Sequence, residues 1–111
     1  MKFLKFKILI ITFAIIIIIG YLVPENLVIP VDGATHSDWN SQSVWYEPWG
    51  ISGVHKGIDI FSPTGTRLNS ASKGVVLYTG SVALGGNIVL ILGPKWKLHY
   101  YAHLDSITVS A

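Results

Sequence analysis

His55 and Asp59 stand four residues apart in the stretch Ser-Gly-Val-His-Lys-Gly-Ile-Asp-Ile-Phe (52–61), with Gly57 between them. An imidazole and a carboxylate are both good ligands for zinc, which takes nitrogen and oxygen donors at ~2 Å. In an extended strand, residues four apart have Cα atoms ~13 Å apart, so a straight chain could not bring both to one ion. The chain must bend between them, and glycine makes a bend cheap. Such a bend directs Ile58 and Ile60 to the core and Asp59 away from it, where its charge is exposed or paired with a cation. On spacing alone the pattern is weak, because a turn histidine followed by a surface aspartate reads the same way.

A second cluster lies in Lys97-Leu98-His99-Tyr100-Tyr101-Ala102-His103-Leu104. On a strand, Leu98, Tyr100, Ala102 and Leu104 face one side and His99, Tyr101 and His103 the other. A lone histidine there would be filler on a polar face; two imidazoles beside a phenol point to a site.

Short β-prone runs separated by glycine supply the framework for both clusters: 58–61, 74–78, 87–92 and 95–104. Gly80, Gly85, Gly86 and Gly93-Pro94 are the expected turns, and no stretch after residue 57 has a helical period. The connections are too short for helical crossovers, so the class is all-β with antiparallel pairing. Ahead of this region, residues 24–52 form an irregular lead-in in which Trp39, Trp45, Tyr46 and Trp49 fall close together. So much aromatic area must be packed, as a wall of a groove or as a flap covering sheet.

The front of the chain is of a different kind. Residues 8–23 are almost wholly apolar and uncharged, preceded by Lys2, Lys5 and Lys7 and followed by Pro24 and Glu25. This segment, 1–23, reads as a single membrane-spanning helix, its lysines favouring a cytoplasmic N-terminus. A cleaved signal peptide shares the pattern, but no good cleavage site follows the run, so an uncleaved anchor is preferred. The domain is then extracytoplasmic (periplasmic), held at the inner membrane. The absence of cysteine requires that its core, helped by metal, stabilise it without disulfides. Setting aside the three anchor lysines leaves five Lys and Arg against six acids, a formal charge of −1. No basic stripe remains, and nucleic acid is not an expected partner.

After the His55–Asp59 motif come Gly65-Thr66, Gly74-Val75-Val76, Gly85-Gly86-Asn87-Ile88-Val89 and Tyr101-Ala102-His103-Leu104, in that order. The series resembles the lysostaphin-type zinc metallopeptidases, which carry H-x-x-x-D, then Y-x-H, then H-x-H. The resemblance covers residues 53–111 and implies an antiparallel β-sheet groove with Zn2+ on its floor. It assigns His55 and Asp59 to the metal and His103 to catalysis, polarising water or steadying the oxyanion. Tyr101 and His99 become candidates for contacting substrate; His99 lies outside the general motif and is not a ligand. The implied substrate is peptidoglycan peptide.

The chain departs from that pattern at its end. The third zinc ligand belongs to H-x-H, several tens of residues beyond Y-x-H, whereas only eight residues follow His103. The expectation is a fragment of a membrane-anchored endopeptidase with two of three protein ligands, one sheet edge unpaired and one core face partly bare. Two alternatives stand beside it: a non-catalytic module of the same fold that binds wall peptide or a partner hydrolase, and a structural envelope protein without a site.

Overall fold

The computed structural model describes residues 1–39 and 56–111. Helix α1 spans Lys2–Leu22 and buries none of its side chains. At a rise of ~1.5 Å per residue it is ~32 Å long, close to the ~30 Å hydrocarbon thickness of a bilayer. By length and composition it is able to cross a membrane. It stops at Val23, which is extended (φ −62°, ψ 125°), because the ring of Pro24 disfavours the helical conformation in the residue before it.

Beyond the helix, residues 28–32 lie antiparallel to residues 67–71. The Val28 N–H donates to the Ala71 carbonyl (2.8 Å), the Asn69 N–H to the Pro30 carbonyl (2.7 Å) and the Asp32 N–H to the Arg67 carbonyl (3.0 Å). Val31 and Leu68 pair as an isolated bridge. Asn69 Nδ2 adds a bond to Asp32 Oδ1 at 2.7 Å.

The sheet has three antiparallel strands, β1 (Val75–Val82), β2 (Gly86–Leu92) and β3 (Leu98–Leu104), in that spatial order. Among the described residues the buried apolar side chains are Val31, Ile88, Val89 and Ile91. Three of them lie on the central strand, as expected where a neighbour on each side removes the backbone from water. Full burial of each contributes about 1.5–3 kcal/mol. Across the registers Val76–Ile91–His99 and Thr79–Val89–Tyr101, one face of the sheet turns toward the segment holding Ala71 and Ser72. The other face carries Val75, Tyr78, Leu98 and Tyr100, all exposed.

Antiparallel pairing and the glycine turns at Gly85-Gly86 and Gly93-Pro94 agree with the sequence reading, and four expectations need correction. Residues 58–61 form no strand; they run singly, with the Phe61 N–H bonded to the Asp38 carbonyl at 3.0 Å, and Pro63, lacking a donor, follows two residues later. Ile58 is not a core residue but 45% exposed, lining a shallow apolar surface with Ile60, Leu27 and Ile29. Gly80 is no turn: it pairs with Ile88 inside β1, and its missing side chain makes room for the Tyr78 phenol. The last strand begins at Leu98 rather than Lys95, because Pro94–Trp96 form a 3-10 turn in which Lys95 and Trp96 have φ of 60° and 56°.

Candidate functional site

The chain bends at Gly57, as a two-donor site on either side of it requires. Asp59 follows the bend and is exposed; His55 lies outside the described residues, as does the lead-in from residue 40 onward. Among the described residues no three His, Asp or Glu side chains stand close enough to hold a metal ion. The donor types on either side of Gly57 suit zinc, and Asp59 is the member of that pair whose position is described.

β3 does not alternate cleanly. Its register with β2 is regular from Leu92–Leu98 to Val89–Tyr101 and then slips before Asn87–Leu104. The extra residue is taken up in a bulge, where His103 adopts φ 57°, the left-handed region that costs an L-residue roughly 1–2 kcal/mol. Its N–H donates to the Gly85 carbonyl at 2.7 Å, and its imidazole is exposed. The expected common face of His99, Tyr101 and His103 is therefore broken: His99 and Tyr101 are half-buried, while Leu98 and Tyr100, expected on one side with Ala102 and Leu104, are exposed. The physical reason is the period of two, since one inserted residue reverses the phase of all that follow it.

The half-buried pair is engaged by the chain itself. The Tyr101 hydroxyl accepts the Ala71 N–H at 2.8 Å. Ser72, 6% exposed, places its Oγ 3.3 Å from His99 Nε2 and 3.1 Å from the Lys73 carbonyl. With His99 carrying its proton on Nε2, the hydroxyl accepts from the ring and donates to the carbonyl, and the buried Ser72 hydroxyl is satisfied in both roles. Together these bonds tie the segment 70–73 to β3.

Two residues that position His103 read from the sequence only as turn and motif members, not as part of a site. Gly85 is buried; a side chain there would collide with the Tyr100 phenol and come within 2.8 Å of Ile88 Cγ2, so glycine brings its carbonyl under the bulge without displacing either neighbour. Asn87 closes the other side, its Nδ2 donating to the carbonyls of Leu104 (3.0 Å) and Asp105 (3.3 Å). The signal was present as Gly-Gly-Asn at the head of a β-run, where an amide side chain is well suited to satisfying backbone groups freed by a bulge. A cleft of about 770 Å³ lies elsewhere: it runs beside the end of α1, lined by Gly20, Val23, Val28, Leu92, Pro94 and Trp96 among others.

Residues 53–111, just over half of the chain, match peptidase family M23. The chain belongs to that family. This M23 chain is 39% identical over 59 residues to the uncharacterized lipoprotein YgeR of Escherichia coli K12, covering 52% of the chain and 24% of that protein. It is 34% identical over 71 residues to an L-Ala–D-Glu endopeptidase of Bacillus subtilis 168, covering 62% of the chain and 22% of that protein. The matches thus span about a quarter of the length of these relatives. No solved structure matches the chain.

Proposed function

We propose that this M23 protein is a membrane-anchored, extracytoplasmic zinc endopeptidase that cuts the peptide part of peptidoglycan. The observation that carries the reading is the family match over 53–111, which contains the His55–Asp59 motif and Tyr101-Ala102-His103 in order. The Bacillus relative is named for a bond to a D-amino acid, a linkage typical of wall peptides and foreign to ribosomal ones. The apolar helix at the N-terminus and the lipoprotein relative both favour a place in the envelope.

In this reading His55 and Asp59, which flank Gly57 in the sequence, would supply two of the metal's protein ligands. Zinc, when bound, supplies a Lewis acid for the scissile carbonyl and activates water near neutral pH. His103 directs its exposed imidazole at the carbonyl oxygen and donates a hydrogen bond as negative charge develops there. Gly85 and Asn87 hold the bulge that aims it. Tyr101 and His99, engaged with Ala71 and Ser72, fix the surface beneath rather than reacting.

The test is release of new amino termini from purified wall material, in detergent or vesicles, by the full-length protein with any H-x-H element that its coding sequence supplies. The expected result is release that is abolished by a chelator, restored by zinc, and lost in His55→Ala, Asp59→Ala and His103→Ala. Binding of wall peptide with no release under any metal condition would instead support a non-catalytic module, and neither binding nor release would overturn both.

A further inference from the structure

The turn joining β2 to β3 is docked on the end of the apolar helix. Trp96 Nε1 donates to the Ile17 carbonyl at 3.0 Å, and the indole covers Gly20, where any side chain would overlap it. Lys95 Nζ donates to the Tyr21 carbonyl at 3.0 Å, one of the helix-end carbonyls that lack an intrahelical partner and favour a cation. Both residues reach these positions through positive φ, a cost that the contacts offset. Nothing in the peptidase chemistry uses this turn.

Its depth is the informative quantity. Ile17 lies five residues before the end of α1 and Gly20 two, so the indole sits roughly 3–8 Å inside the C-terminal end of the span. That is the zone in which tryptophan, with an apolar body and one N–H to satisfy, is enriched in membrane proteins. Trp96 remains 42% exposed, with ring surface available to something other than the helix. Around it the charge is one-sided. Lys73, Lys95 and Lys97, three of the five basic residues after the helix, gather at this end of the sheet. The acid beside them, Glu25, is neutralised by Lys97 at 2.9 Å.

We infer that the turn 93–97 is a second membrane contact, seating Trp96 in the headgroup region of the outer leaflet with Lys73 and Lys95, the two lysines not paired with Glu25, toward anionic lipid phosphates. This rests on the reading of α1 as an uncleaved anchor. The contact adds a second point of attachment between the domain and its anchor. His103 lies five residues beyond Leu98, roughly 16 Å farther along β3, so a fixed turn fixes where the candidate catalytic residue stands relative to the anchor.

The experiment uses the full chain in vesicles of equal parts phosphatidylcholine and phosphatidylglycerol, some carrying lipids brominated near the carbonyls. The emission of Trp96 is isolated in two ways: as the difference between the native protein and Trp96→Phe, and directly in a variant with Trp39, Trp45 and Trp49 all changed to Phe. A separate probe, Phe13→Trp in the Trp96→Phe background, reports on the middle of the helix with deeply brominated lipids. The expected result is that Trp96 emission is quenched by the shallow bromines and shielded from aqueous iodide, and that quenching weakens when phosphatidylglycerol is omitted. Trp96 open to iodide and untouched by bromines, with the helix probe still quenched, overturns the second contact and leaves the anchor standing. A helix probe that escapes deep bromines overturns both. Quenching indifferent to phosphatidylglycerol overturns the role given to the lysines.

Discussion

His103 offers a prediction in which stability and activity separate. Its side chain is exposed, its φ is 57°, and its N–H is bonded to the Gly85 carbonyl. Replacing it by glycine or alanine removes the same imidazole, buries nothing and keeps the backbone bond. In an ordinary strand alanine is better than glycine by about 0.5–1 kcal/mol, because glycine loses more freedom on folding. At positive φ the alanine Cβ meets the following carbonyl at a cost of roughly 1–2 kcal/mol. The order should therefore reverse, with His103→Gly more stable than His103→Ala by about 0.5–1 kcal/mol. With an m-value near 1 kcal/mol/M in urea, that is a difference in midpoint of about half to one molar. Urea unfolding of the full chain in detergent, followed by tryptophan emission, measures it. Both variants should lack wall-cleaving activity. Alanine more stable than glycine would refute the bulge geometry, and a fully active His103→Gly would remove the imidazole from the mechanism.

Three other outcomes are expected. Tyr101→Phe should cost about 1 kcal/mol, measured by thermal unfolding, because the Ala71 N–H loses its acceptor; activity per folded molecule should survive. Lys97→Met should destabilise by roughly 1–3 kcal/mol in urea, since Glu25, 13% exposed and with Oε2 already unpartnered, is left charged without its cation, discounted for the half-exposed lysine. Adding Glu25→Gln should recover most of that loss, and an additive double variant would show that the pair is not coupled. Ile88→Ala, at the most buried apolar position of the sheet, should cost about 2–4 kcal/mol, seen as a lower urea midpoint with unchanged slope.

Much of this protein follows from its residues in order. The apolar run behind three lysines dictates a helix able to span a membrane, since residues 8–23 carry no charge and no proline before Pro24. Glycine pairs between β-branched runs dictate antiparallel strands with short turns, because such connections leave no room for a crossover. The ordered motifs from His55 to His103 dictate the family. Tertiary structure decided what local pattern cannot encode. Whether 58–61 joins the sheet depends on a partner strand, and the chain places Asp38 there instead. The face that His103 presents depends on one extra residue in β3 between the Asn87–Leu104 and Val89–Tyr101 pairs, which slips the register after Tyr101. The mounting of the turn 93–97 on the helix joins groups more than seventy residues apart in sequence. Periodicity reports the phase of a strand only while pairing is regular, and bulges and long-range docking are set by neighbours distant in the chain.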